Sequence, residues 1–492
     1  MHLKQHKRII FRADGNARIG LGHLTRSLAL ATMLQEDFTC VFATQEPNPD
    51  FLTTLEKAGI SVIQLPATLN YEQEAKELVK LVQPFDIIVL DGYVFGTKYQ
   101  QILKSKENKI VCLDDIHAFP FLADALINQA GGVTPNHYQA DINTQFFLGP
   151  AYALLRPPFL EAATQTRQIS AIKNILLNMG GADPDNQTMH LLQAALINLK
   201  EINIQVVVGS AYRYYKQLLE YARQNSNITV YQSLDAEAMC ELMQNCDAAI
   251  LPPSSVAYEW CSVSGLLLVH QIADNQKDLA AFLTQNGLAF PLNQLNQILL
   301  HPDQNEIIAQ QIKQQRQYFD GKSKLRLKRI FSDLTLGDFL QLRPAEENDM
   351  QQLFEWANDP AVRQHSFNPA PIPLEIHQRW FHHKLTDPDC LILIATFENV
   401  PAGMIRFDIK ENQATISYLL DKNFRGKGFG AWVLTAGVVQ LQQLQPDIAR
   451  VIGHVQQSNI ASVVSFQKAG FTKTNIIPPV EPHSLVFAKE LN

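Results

Sequence analysis

Residues 8–31 read RIIFRADGNARIGLGHLTRSLALA. The apolar run RIIFRA predicts a buried strand. HLTRSLALATMLQ, with apolar residues at three-to-four spacing, predicts a helix. Between them lies a polar loop ending in G-L-G-H, so His23 sits where loop becomes helix. Two readings of that histidine are open at this point. It packs or caps, or it is a base placed where a phosphate-bearing substrate lies.

The same alternation continues on both sides of this stretch. FTCVFAT, SVIQL, DIIVLD and KIVCLDD read as strands, separated by helices over FLTTLEKAG and residues 71–82. Strands alternating with helices predict a parallel, doubly wound sheet. A second set begins near residue 170, with KNILLNMGG, QVVVG, ITVYQ, AAILP and LLLVHQ. The expected organisation is therefore two Rossmann-like α/β halves, over 1–160 and 161–330, joined near LLRPPF. Ligands in such folds sit at the carboxyl ends of strands, here in a cleft between the halves. Residues 303–331 are polar and helical. They are expected to pack back on the first unit and then serve as a linker. From 338 to 492 a helix is followed by hairpin-like strands LILIATFE, AGMIRFDI and ATISYLL. A glycine turn, a long helix and the strand RVIGHV come next, predicting a separate α+β domain.

Composition bounds the function. The 492 residues are 46% hydrophobic and 18% charged, as in folded globular proteins. A net charge of −7 gives no general basis for nucleic-acid binding. The start does not read as a signal peptide, and no apolar stretch reaches about 18 residues. Six scattered cysteines lack a C-x-x-C pair, which fits reduced thiols in a cytoplasmic protein. No H-E-x-x-H pattern occurs, and the adjacent Asp114 and Asp115 are weak evidence for a metal, so none is expected.

The clearest motif is DKNFRGKGFGAW, residues 421–432. Arg425, Gly428 and Gly430 form R-x-x-G-x-G between a strand and a helix, with Gly426 inside it. Glycines let backbone N–H groups approach phosphate oxygens, and the following helix offers its positive end. The segment resembles the GNAT acetyltransferase superfamily, whose corresponding loop holds the pyrophosphate of acetyl-coenzyme A. NIASVVSFQKAGF (459–471) resembles that family's downstream motif, which implies cofactor contacts from Asn459 and Ser462. Phe466 stands where the family usually has a tyrosine that protonates the departing thiolate. That role then falls to water or another residue. Tyr418, on the strand before the loop, is either an ordinary sheet aromatic or lies near the thioester carbonyl.

The opening stretch, written R-A-D-x-x-x-x-I-G-x-G-H, resembles the UDP-sugar hydrolases of pseudaminic-acid synthesis. Those enzymes share the two-lobed GT-B architecture of MurG-like glycosyltransferases. LDD (113–115), ADALINQ (123–129), LGPAYALLRPPF (148–159), MGGADPDN (179–186) and ADNQ (273–276) fall in that family's order. The resemblance implies that Gly20, Gly22 and His23 form the catalytic loop, with His23 as base on the attacking water. Asp14 either orients His23 or holds a sugar hydroxyl. Tyr93, in LDGY, falls at a substrate-contacting tyrosine. SSVAYEW (254–260) resembles the family's diphosphate turn, which implies UDP contacts from Ser254, Ser255 and Glu259. Asn275 and Gln276 read as sugar or phosphate contacts, or as a plain loop.

Together these resemblances imply a bifunctional enzyme. Its tail would use acetyl-coenzyme A to acetylate the 4-amino group of UDP-4-amino-4,6-dideoxy-N-acetyl-β-L-altrosamine. Its front would hydrolyse UDP-2,4-diacetamido-2,4,6-trideoxy-β-L-altropyranose with inversion. Three rivals stay open: a true GT-B glycosyltransferase, a nucleotide-sugar sensor without turnover, and a tail that acetylates protein amino termini. The last is suggested by WANDPAVR (356–363), which resembles acetyltransferases of ribosomal proteins.

Overall fold

The computed structural model describes residues 7–15, 22–83, 86–106, 108–196, 199–474 and 484–491, with the side chains of 336–339 excepted. Two compact units meet between Ile330 and Phe331.

The first unit holds two parallel sheets. One contains β1 (Arg8–Ala13), β2 (Thr39–Gln45), β3 (Ser61–Leu65), β4 (Ile87–Asp91), β5 (Lys109–Leu113), β6 (Ala125–Asn128) and β7 (Gln145–Leu148). Their order is β3-β2-β1-β4-β5-β6-β7, every pair parallel. The inner strands are buried on both faces, which is why Ile9–Phe11 of β1 and Ile87–Leu90 of β4 are continuous apolar runs rather than alternating ones. The other contains β8 (Asn174–Leu177), β9 (Asn203–Val208), β10 (Ile228–Gln232), β11 (Ala248–Leu251), β12 (Leu266–Val269) and β13 (Phe290–Pro291). It runs β10-β9-β8-β11-β12-β13, again all parallel. Both sheets are Rossmann-like.

The first half ends earlier than residue 160. Ala153, Leu155, Phe159 and Ala162 belong to the core built on the second sheet. The short helix Pro157–Ala162 packs on helices Ala236–Asn245 and Ser255–Val263. The apolar residues of the joint therefore find their partners in the second half. Between the halves, the Gly131 amide donates to the Tyr258 hydroxyl at 3.1 Å. A Cβ at Gly131 would fall 2.3 Å from the Phe282 ring, so only glycine allows this approach.

The polar helices after residue 303 do return to the first unit. Gln311 and Gln315 of the helix Gln304–Tyr318 are buried. Gln315 accepts from Gly265 N at 3.1 Å and donates to Gly265 O and Leu288 O at 3.0 Å. Gln311 accepts from Leu267 N at 2.8 Å. These amides satisfy backbone groups that would otherwise be buried unpaired. Lys324 and Lys328 of the next helix, Ser323–Phe339, pair with Glu36 and Asp37.

The second unit is a mixed sheet of β14 (Leu340–Pro344), β15 (Cys390–Phe397), β16 (Val400–Lys410), β17 (Gln413–Leu420), β18 (Arg450–Gln456), β19 (Thr472–Thr474) and β20 (Ser484–Glu490), in the order β14-β15-β16-β17-β18-β20-β19. All neighbours are antiparallel except β17 and β18. Among the described residues no helix is long and apolar enough to cross a membrane.

Candidate functional site

The chain leaves β1 towards β2 and β3, then returns to place β4 on the other side of β1. Such a reversal opens a crevice at the carboxyl ends of the two central strands. Asp91 ends β4, and His23 is the second residue of the helix Gly22–Leu34 that follows β1. His23 Nδ1 lies 2.7 Å from Asp91 Oδ1. An ionised carboxylate only accepts, so in this bond Nδ1 donates, and Nε2 is the ring nitrogen left over. Asp91 is fully buried and also receives Arg26 Nη2 at 2.6 Å and Ser27 Oγ at 2.8 Å. Burial pushes its carboxyl up, but the Arg26 charge and the His23 and Arg26 hydrogen bonds outweigh that and hold it below the usual carboxylate range. The Tyr93 ring stands edge-on to His23, with centroids 4.7 Å apart, and is 49% exposed. His23 itself is 8% exposed.

Asp14 does not orient His23. Its carboxylate takes both Nη atoms of the buried Arg12, at 2.6 and 2.7 Å, and the Gln45 amide at 2.8 Å. Arg12 is held on its other edge by Glu74. The aspartate on the imidazole is Asp91 instead. It is the aspartate of the LDGY segment quoted above for Tyr93. The signal is an acid closing a wholly apolar strand, in DIIVLD. Gly20 lies outside the described residues, and Gly22 opens the helix at an exposed position.

In the second sheet the order reverses between β8 and β11. Gly180 follows β8 with φ 89°, a left-handed backbone suited to glycine. Ser254 is the N-cap residue of the helix Ser255–Val263, yet its hydroxyl makes no capping bond. Both serines and the Gly180–Gly181 turn thus follow the strands that flank this reversal. Glu259 instead points its carboxylate at Arg156, which donates at 2.6 and 2.8 Å. Asn275 is exposed in the turn Asp274–Gln276, and the Gln276 side chain accepts from Ile272 N at 3.0 Å.

In the second unit β17 and β18 pair only from Gln413–Ile416 to Arg450–Gly453. Beyond that the parallel strands separate. A cavity of about 570 Å³ lies there, lined among others by Tyr418, His454, Asn459, Ser462 and Phe466. The loop after β17 has Gly426 at φ 74° and Gly428 at φ 86°, and leads into the helix Phe429–Leu444. Residues 340–472 match the family model "Acetyltransferase (GNAT) domain".

The chain carries a GNAT acetyltransferase domain. The region before it is homologous to a sugar-nucleotide hydrolase. The UDP-2,4-diacetamido-2,4,6-trideoxy-β-L-altropyranose hydrolase of Campylobacter jejuni is 25% identical over 57% of this chain and 97% of its own length. An uncharacterized protein of Methanocaldococcus jannaschii is 22% identical over 95% of this chain and 97% of its own. The solved aminoglycoside acetyltransferase AAC(6')-Ib, in complex with paromomycin and acetyl-CoA, is 20% identical over 31% of this chain and 93% of that one, with a TM-score of 0.28.

Within the GNAT domain the expected cofactor residues fall into two sets. Gly426, Gly428 and Gly430 form the turn and helix start. A Cβ at Gly430 would sit 2.7 Å from Ser465 Oγ, so this glycine sets the spacing to the helix Ile460–Lys468. Arg425, Asn459 and Ser462 are engaged by the protein itself. Arg425 donates to Leu420 O and to Asp359, both at 2.9 Å. Asn459 caps its helix by accepting from Ser462 N. The Tyr418 hydroxyl lies 3.1 Å from Ser462 Oγ, and burial pushes its pKa up. Phe466 is 2% exposed and stacks on Phe487 at 5.4 Å. A phenyl ring here supplies packing and no proton. Three cavity-lining histidines escape motif reading: His365, His377 and His454. Each has a buried ring nitrogen without a hydrogen-bond partner among the described residues. No group of three or more His, Cys, Asp or Glu side chains suited to a metal ion occurs among the described residues.

Proposed function

We propose that this chain performs two consecutive steps on a nucleotide-linked amino sugar. The GNAT domain transfers the acetyl group of acetyl-coenzyme A to the 4-amino group of UDP-4-amino-4,6-dideoxy-N-acetyl-β-L-altrosamine. The neutral amine attacks the thioester carbonyl, coenzyme A leaves as thiol, and the amine loses one proton. The N-terminal unit, in a GT-B-like arrangement of its two halves, then hydrolyses UDP-2,4-diacetamido-2,4,6-trideoxy-β-L-altropyranose. His23 Nε2 takes a proton from water as the oxygen attacks the anomeric carbon. The glycosidic C–O bond breaks with inversion, and its electron pair leaves with UDP.

The observation that carries the hydrolytic reading is the His23–Asp91 pair at the reversal between β1 and β4, with Tyr93 against the ring. A buried carboxylate that fixes the imidazole tautomer and steadies the imidazolium is what a general base requires. Ser254, Ser255 and the Gly180–Gly181 turn are the groups suited to the diphosphate, since charge builds there as UDP departs. Glu259, Asn275 and Gln276 complete the proposed nucleotide side. Asp14 is assigned to a sugar hydroxyl.

The test is incubation of the purified chain with the UDP-4-amino sugar, with and without acetyl-coenzyme A, followed by NMR. Free sugar of inverted anomeric configuration, released only after acetylation, is the expected result. Acetylation without UDP release would leave the front half as a binding module. UDP release only with an added acceptor would make it a glycosyltransferase.

A further inference from the structure

Two side chains of WANDPAVR hold the loop that follows β17. Trp356 Nε1 donates to Asp421 Oδ2 at 2.9 Å, where that loop begins. Asp359 Oδ1 receives Arg425 Nη1 at 2.9 Å, at the residue before the two left-handed glycines. The same oxygen accepts from Ala361 N and Val362 N, and so caps the short helix Pro360–Gln364. That helix carries Arg363, and both Arg363 and the following His365 line the cavity beside the splayed strands. One carboxylate oxygen therefore touches the wall of that cavity and the glycine loop together.

We propose that Asp359 is a positioning residue for acetyl-coenzyme A, acting through Arg425 to fix the loop whose amides at Gly426–Gly430 receive the cofactor. The proposal rests on the acetyl-transfer reading of this domain. Arg425 spends Nε on Leu420 O and Nη1 on Asp359, and its Nη2 is buried without a partner among the described residues. Its guanidinium is thereby committed to the loop's own shape. The Arg425 hydrogen bond and charge lower the Asp359 pKa, so this carboxylate stays ionised at neutral pH. The backbone dihedrals of Gly426 and Gly428 open many alternatives to the loop when it is not anchored, and an anchor at residue 425 removes most of them.

The test uses calorimetric binding of acetyl-coenzyme A to the full chain, with initial rates against acetyl-coenzyme A where an acceptor turns over. Asp359→Asn keeps the helix cap and loses the charge. We expect its Kd for acetyl-coenzyme A to rise about tenfold, with kcat changed less than twofold, and Asp359→Glu to recover most of the loss. Arg425→Gln is expected to match Asp359→Asn, and the double variant to be no worse than either. Should Asp359→Asn misfold, Asp359→Ser retains a capping oxygen and serves the same purpose. Unchanged Kd in Asp359→Asn overturns the proposal. So does a large loss in Arg425→Gln alone, which would make Arg425 a direct cofactor ligand. Failure of the unaltered chain to bind acetyl-coenzyme A would instead overturn the acetyl-transfer reading, and this inference with it.

Discussion

His23 Nδ1 and Asp91 Oδ1 are 2.7 Å apart, although 68 residues separate them in the chain. The pair exists because a helix start and a strand end converge at the one place where the first sheet reverses its order. Asp91→Asn keeps the shape but removes the negative charge and permits the wrong tautomer. UDP release should fall on the order of 100-fold or more, mostly in kcat. His23→Ala should fall comparably, and the double variant little further, because the two act as a unit. Equal rates in Asp91→Asn and the unaltered chain would remove the imidazole from the chemistry.

Asp14 gives the contrast. Its carboxylate completes the buried Arg12–Glu74 network rather than the dyad. Asp14→Asn should destabilise the first unit by about 1–3 kcal/mol, since a buried guanidinium loses one of two anionic partners. A sugar-hydroxyl contact would cost UDP release about tenfold at most, as a hydrogen bond of about 1.4 kcal/mol does. Thermal melting and initial rates on the same preparations separate the two effects.

Glu259 accepts two hydrogen bonds from Arg156, a residue of the joint between the halves. Glu259→Gln leaves that guanidinium without its carboxylate. The expected loss is about 1–3 kcal/mol, less than for a fully buried pair because Arg156 keeps some exposure. If Glu259 also holds the ribose, KM for the UDP-sugar rises in Glu259→Gln but not in Arg156→Met. Equal shifts in both would assign the residue to stability alone.

The alternation of strands and helices is legible because buried parallel strands are apolar throughout, as in IIVLD. What escapes is pairing over long distances. Nothing local announces that Asp91 meets His23, that Asp359 meets Arg425, or that Glu259 meets Arg156. The Gln-rich segment after 303 reads as packing back on the first unit, but nothing in it tells that Gln311 and Gln315 are the buried residues, bonded to backbone groups. Amide side chains carry no hydropathy signal for such a role. The start of the second half is misplaced for a related reason. Residues 153–162 are apolar enough for either core, and only the packing of the helix Pro157–Ala162 decides which.

A buried histidine, His377, and a half-buried one, His454, shape the acid stability of the GNAT domain. Burial lowers the pKa of both His377 and His454. A group whose folded pKa lies below its unfolded value, near 6.5, takes up its proton more readily once unfolded. Stability is therefore complete above about pH 6.5 and declines as pH falls from there towards the folded values. Each histidine contributes a slope of at most about 1.4 kcal/mol per pH unit in that window. The carboxylates with lowered pKa in this unit, Asp349, Asp359 and Asp387, act only below about pH 4. Melting of the C-terminal transition should thus drop between pH 7 and 5.5. His377 packs between Phe354 and Trp380, with a buried Nε2 unpartnered among the described residues. His377→Leu should flatten the decline, because the replacement cannot titrate and fills the same apolar niche. A melting curve as steep in His377→Leu as in the unaltered chain would place the titrating group elsewhere.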